Sequence, residues 1–206
     1  SNLATLDAYP AAEIYVPGTL IFDGEEYGPV GVRYKGSVGA WISCTEGTGQ
    51  EGLFDIGGQR ICPKLSLKVS FNWVDPEGRF FGMKKLLFHA MNNDPSMMRE
   101  RLGYQLFRKM QAPAPRAAHV RLRVNGKLAG VFLNVEDIDG RFTRAHFEDG
   151  KGNLYKEVWP TYSDQQVATG AAEFLAALQT NEDDDPSVQR LVDFGREVMD
   201  SEGEAR

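Results

Sequence analysis

The chain has 206 residues, 29 acidic and 23 basic side chains, a formal charge of −6 and 42% hydrophobic residues. That length buries one sizeable core, and the acidic balance excludes a protein that coats duplex nucleic acid through general basicity. No apolar run reaches the roughly 18 residues of a transmembrane helix, and no charged-then-apolar leader opens the chain, so neither a membrane span nor an uncleaved signal peptide is expected.

The first ninety residues read as β structure. Thr19 to Phe22 is a short apolar run that ends at the turn signal Asp23-Gly24. Val30, Val32 and Tyr34 then alternate with Gly31, Arg33 and Lys35, which makes one face apolar and the other basic, and Gly36-Ser37 follows directly. Cys44 and Cys62 bracket a Gly-rich excursion, Thr45 to Ile61. They lack the spacing and company of a zinc site, and two readings stay open for them: a disulfide formed in an oxidising compartment, or two buried thiols. Leu65, Leu67, Val69 and Phe71 alternate with Lys64, Ser66, Lys68 and Ser70. After the turn at Asp75-Pro76-Glu77-Gly78 come further short strands, Arg79 to Phe81 and Met83 to His89.

A helix is expected over about 94–111. Asp94 suits the N-cap and Pro95 the first turn, and Met98, Leu102, Leu106 and Met110 form an apolar stripe that Pro113 and Pro115 terminate. His119 to Val124 and Lys127 to Val135 flank Asn125-Gly126, the strongest hairpin signal in the chain. Gly152 to Lys156 reads as one more strand, and helical spacing resumes from Gly170, broken by the acidic stretch from Glu182 to Asp185. Strands, a helix, a hairpin and then helices make an α+β fold, a mainly antiparallel sheet with one packed helix.

Several groups are suited to chemistry. Arg33, Lys35, Lys64 and Lys68 form a basic strand face, and such a face beside the glycine turn at Gly36 suits a polyphosphate, although a solvated antiparallel face has the same pattern. Glu100 lies at the border of the helix's apolar stripe, from which it reaches a sheet lysine or simply stays solvated. Glu136, Asp137 and Asp139 form an acidic cluster after the hairpin, and Lys156 closes a Gly-Asn-Leu-Tyr-Lys segment. His89, His119 and His146 have no metal-ligand spacing and read as structural. There is no nucleophile elbow and no Walker lysine. Asp193-Phe194-Gly195 looks like a kinase metal triplet but falls inside a helical pattern, so it is read as a decoy.

Seven blocks, in order, resemble the CotH family of spore coat protein H kinases. They are Val30 to Gly36, Pro63 to Lys68, Asn93 to Leu102, Pro113 to Arg116, Val124 to Gly126 with Gly130, Val135 to Asp139, and Gly152 to Lys156. The resemblance implies an atypical protein-kinase-like fold that binds ATP with Mg²⁺ and phosphorylates Ser or Thr of a protein substrate. Residues 1–136 would be the nucleotide-binding lobe, and 137–206 a linker and the start of a helical lobe. Arg33, Gly36 and Ser37 would lie at the phosphates. Lys64 or Lys68 would hold the α- and β-phosphates, Glu100 would orient that lysine, Glu136 would lie near the adenine, and Lys156 would face the nucleotide. The family's catalytic aspartate and metal-binding aspartate are expected beyond Arg206. None of Trp41, Trp73 and Trp159 is followed by aspartate, so the chain by itself is not expected to transfer phosphate and none of its own residues is expected to hold metal. The alternatives are a non-catalytic structural or interaction module that keeps the fold and, ranked last, a carbohydrate-binding β domain. The resemblance implies a spore-coat or extracytoplasmic location.

Overall fold

The computed structural model describes residues 1–36, 38–49, 55–156, 178–180, 189, 190, 193, 194 and 197. The chain divides into two compact units, Ser1–Asp137 and Ile138–Arg206.

The first unit is built on a six-stranded antiparallel sheet of strand order β1-β2-β3-β4-β6-β5. Its strands are β1 (Val16–Phe22), β2 (Glu25–Tyr34), β3 (Leu67–Ser70), β4 (Lys85–His89), β5 (Ala117–Val124) and β6 (Lys127–Val135). Helices α1 (Asn2–Ala8), α2 (Val38–Trp41) and α3 (Arg99–Lys109) complete it. The α+β architecture expected from the sequence is the one observed. Both two-residue turns lie where the sequence marks them. Asp23 and Gly24 have φ of 52° and 82°, Asn125 and Gly126 have 49° and 79°, and this paired left-handed geometry matches the twist of the strands it joins.

The sheet has one wholly apolar face and a second that carries the polar side chains beside buried Leu87, Leu133 and Val135. Val30, Tyr34, Leu67, Val69, Leu86, Phe88 and Phe132 are all buried on the first face and form the core together with Leu6 of α1 and Val16. The sheet curls enough for residues of β1 and β5, its two edges, to line one apolar cavity of about 520 Å³. Asp7 fastens α1 to this core. Its carboxylate accepts from Tyr34 Oη at 2.7 Å and from Arg60 Nε at 2.7 Å and Nη2 at 3.2 Å. On the opposite face Arg33 pairs across the strands with Lys68, and Lys68 with Leu87.

The helix begins later than the sequence suggests, and it buries a different side. Met97 takes a left-handed φ of 55°, so residues 94–98 form a turn and α3 starts at Arg99. Asp94 still caps, but from a distance: its carboxylate accepts from Ser96 N at 3.0 Å and from Arg99 N, the first helical amide, at 2.8 Å. No residue of α3 is buried, and Leu102, Leu106 and Met110 are 53%, 59% and 68% exposed. The half-buried side carries Glu100, Tyr104 and Arg108, spaced four apart, and the helix lies against β5. The sheet face beneath α3 carries buried Leu87, Leu133 and Val135 together with His89, and Glu100, with Tyr104 bonded to it, turns inward to meet that histidine.

In the second unit α4 (Gly140–His146) is capped by Asp139, whose carboxylate accepts from Arg141 N at 2.9 Å. Strand β7 (Leu154–Tyr155), inside the segment expected to be extended, pairs with β8 (Leu178–Thr180).

Candidate functional site

Where β2 ends, the polar face of the sheet opens into a cleft of about 390 Å³. Its walls are the end of β2, α2, the segment after β4 and the start of α3. They include Lys35, Gly36, His89, Asp94, Arg99 and Glu100. A Cβ on Gly36 would meet the Ala40 Cβ at 2.3 Å, so only glycine lets α2 fold back this closely on the strand.

Three side chains from three elements form a line across the cleft. Lys35 Nζ lies 3.0 Å from His89 Nε2, and His89 Nδ1 lies 2.6 Å from Glu100 Oε1. The Tyr104 hydroxyl donates to the same carboxylate oxygen at 2.7 Å. β4 delivers His89 because strand alternation turns Leu86 and Phe88 into the core and Lys85, Leu87 and His89 to the other face. Burial drives the Lys35 ammonium below its ordinary pKa despite the opposing pull of Glu100 and Asp137. Burial pushes Glu100 the other way, but hydrogen bonds from His89 and Tyr104, with the charges of His89 and Lys35, outweigh it and hold the carboxyl below its ordinary range.

Lys64 and Lys68, the two lysines expected at the phosphates, both lie outside the cleft lining. Lys64 donates to Val131 O at 2.7 Å and lies 4.9 Å from the centre of the Phe132 ring, and it does not line the cleft. Lys68 stays on the sheet face that carries Lys35 and His89, opposite Arg33. Arg33 itself is ion-paired with Glu13, donates to Tyr34 O at 3.0 Å, and stands 5.3 Å over the Tyr15 ring. Glu136 is held in a fork by Arg116, with Nε–Oε2 at 3.1 Å and Nη2–Oε1 at 2.5 Å. Lys85 and Asp137 approach to 3.9 Å on the polar face. Lys156 belongs to the second unit, directly after β7. Ser37 lies outside the described residues. Asp193 and Phe194 are helical, and Asp193 accepts from Gln189 at 2.7 Å, as i,i+4 neighbours on a helix do; Gly195 lies outside the described residues.

Cys44 and Cys62 are joined as a disulfide with Cα atoms 4.5 Å apart, and Cys44 lines the cleft. Asn92 ties the bonded loop to the segment after β4, donating to Lys64 O at 2.8 Å with its amide 3.4 Å from Cys44 Sγ. Among the described residues no three His, Cys, Asp or Glu side chains converge as a metal set.

Sequence reasoning singled out Gly36 and Glu100, which both line the cleft, placed Lys35 on the basic strand face without a role of its own and read His89 as structural; the structure sets Lys35 and His89 in line with Glu100. Parity along β4 was the available signal for His89. For Lys35 it was position, two residues beyond Arg33 and immediately before the glycine.

A family model described as "CotH kinase protein" matches residues 32–205. Two curated relatives from Bacillus subtilis (strain 168) align with part of the chain. An inner spore coat protein H-like protein is 38% identical over 74 residues, 36% of this chain and 22% of its own length. Inner spore coat protein H is 33% identical over 76 residues, 37% of this chain and 20% of its own length. The aligned part thus spans about a fifth of each relative.

Proposed function

The chain belongs to the CotH family, and on that premise we propose that the cleft beside Gly36 holds the phosphates of ATP, as the nucleotide-binding part of a kinase acting on Ser or Thr hydroxyls of a protein. The observation that carries this reading is the Lys35–His89–Glu100 line, a sheet lysine connected to a helix glutamate inside a cleft.

The chain's own residues have definite tasks in this scheme. An ammonium has three donors, so Lys35 retains two for phosphate oxygens while one rests on His89. Glu100, fixed by His89 and Tyr104, keeps that ammonium charged and aimed. Arg99, paired with Asp94 at 3.6 Å and 75% exposed at the cleft wall, would exchange that partner for a terminal phosphate. Gly36 lets α2 pack closely against the edge of the cleft in which the phosphates would lie. Bound Mg²⁺ would neutralise charge on the phosphates. The acceptor hydroxyl comes from the substrate protein, and this scheme assigns the aspartate that orients it to no described residue.

Calorimetric titration with ATP, with and without Mg²⁺, tests the assignment. Saturable binding is expected, weakened roughly 10- to 100-fold by Lys35→Ala, as befits loss of a charge-assisted contact. Lys68→Ala should lose less and Lys64→Ala almost nothing. Heat that Lys64→Ala abolishes while Lys35→Ala keeps would move the site; absence of heat with Mg²⁺ present would overturn the reading.

A second reading, a non-catalytic structural or interaction module, draws on the relatives' printed names as inner spore coat proteins. The Cys44–Cys62 bond suits an oxidising compartment, which supports a spore-coat or other extracytoplasmic location under either reading. No helix among the described residues is long and apolar enough to cross a membrane.

A further inference from the structure

Between Arg99 and Lys127 the sequence holds eight basic side chains and one acidic one, Glu100, in a chain whose net charge is −6. The fold gathers several of these cations where α3 lies along β5. We propose that this surface docks an acidic amphipathic segment of a second protein. The segment's apolar side covers Leu102, Leu106 and Met110, and its Asp or Glu side chains enter the recess lined by Arg101, Arg108 and Lys109. The proposal is independent of the nucleotide reading above.

Two rows of side chains run side by side along the helix. Residues four apart share a helical face, so Arg101, Gln105 and Lys109 form one row. Leu102 and Leu106, continued by Met110 at the C-cap, form the next. The apolar row is exposed along its whole length, and Phe107, one turn before Met110, is exposed beside it. An exposed apolar strip bordered by charge is the layout of a protein contact surface. The basic row opens on a recess of about 470 Å³ between α3 and the start of β5, lined by Arg101, Gln105, Arg108, Lys109 and Ala117.

The cations of the recess are held in place without being neutralised. Arg101 donates to His119 Nδ1 at 3.3 Å, and His119 is anchored in turn on Met97 O at 2.7 Å. Arg108 donates to Pro115 O. Neither acceptor carries negative charge. Among the described residues no ion pair engages Arg101, Arg108, Lys109 or Arg121. The neighbouring carboxylates are committed elsewhere, Glu100 to His89 and Tyr104, and Glu136 to Arg116. His119 and Arg121 alternate onto one side of β5, which carries the basic strip past the recess. Guanidiniums already fixed in position lose little freedom on meeting a carboxylate and present it a two-pronged donor. A bilayer surface would cover the apolar row but would not reach into the recess, whereas a side-chain carboxylate does; this favours a protein segment over an anionic membrane.

The test uses the full chain, labelled with ¹⁵N, and a fluorescent helical peptide of Leu and Glu in an amphipathic repeat, beside the same peptide with Gln for Glu. Fluorescence anisotropy should show saturable binding of the Glu peptide, roughly tenfold weaker binding of the Gln peptide, and a loss of affinity with added salt. The double change Arg101→Glu and Lys109→Glu should weaken the Glu peptide by roughly tenfold or more, and Leu106→Gln by roughly fivefold, with circular dichroism verifying that each variant is folded. Amide shifts on adding the peptide to the wild type should cluster over α3 and the start of β5. Absence of binding, equal binding of the two peptides, shifts confined to other elements, or affinity unchanged by the charge reversal overturns the proposal. Retention on phosphatidylserine vesicles without binding of the Glu peptide also overturns it and assigns the surface to a membrane.

Discussion

Glu100 keeps its charge in a half-buried position because donors converge on it. Burial alone would raise its pKa; the bonds from His89 and Tyr104 and the nearby charges of His89 and Lys35 bring it below the ordinary value of 4.5. A depressed folded pKa gives a contribution that is fully present above the unfolded value and is lost as pH falls through the folded one. Glu100→Gln should therefore cost about 2 kcal/mol of unfolding free energy at pH 7. That gap should close progressively below about pH 4.5. Denaturant titrations at pH 7 and pH 3 check this, and an equal gap at both would show that the carboxylate charge is not what stabilises. At this scale Glu100 was legible, since a glutamate on the border of a helical stripe can turn inward. His89 was not: an imidazole's role depends on what faces its two nitrogens, and neither Lys35 nor Glu100 is near it in the chain.

The element that departs most from its sequence pattern is α3. Its apolar positions at four-residue spacing read as the buried stripe, yet Leu102, Leu106 and Met110 are exposed and Glu100 and Tyr104 face the sheet. Periodicity shows that a helix has two sides but not which side meets a neighbour, and here the sheet presents His89 beside buried Leu133, which Glu100 reaches from the helix. Leu106→Gln should thus change stability by less than about 0.5 kcal/mol. Tyr104→Phe, which removes a donor from a charged acceptor, should cost about 1.5 kcal/mol. Thermal and chemical unfolding of the two variants checks the order, and a larger loss from Leu106→Gln would return the apolar stripe to the interior. The hairpins behaved otherwise, because Asp23-Gly24 and Asn125-Gly126 demand left-handed backbone at the turn itself.

Across the whole molecule, the Cys44–Cys62 bond closes a loop of 18 residues and, through Asn92, supports the wall of the cleft. Loop closure of that size stabilises by about 3 kcal/mol. Reduction, or the paired Cys44→Ala and Cys62→Ala change, should lower unfolding free energy by about that amount and weaken ATP binding in the same samples. Retention of both stability and affinity after verified reduction would separate the bond from the cleft. From sequence the two cysteines left pairing and free thiols open, since separation along the chain does not set a Cα distance. The division into Ser1–Asp137 and Ile138–Arg206 gives the cleft to the first unit and Lys156 to the second.

By itself the sequence determined the α+β class, the two tight turns, the alternation that makes one sheet face basic, the existence of a helix before the last hairpin, and the family, because each rests on local chemistry or on blocks kept in order. Tertiary structure alone decided that Lys35 lies in the cleft with Glu100 while Lys64 turns to Val131, that His89 stands between lysine and glutamate, and that α3 turns its polar side inward. Periodicity orients a side chain only within its own strand or helix. Strand register and the approach of a helix, set by contacts dozens of residues apart, choose what it meets.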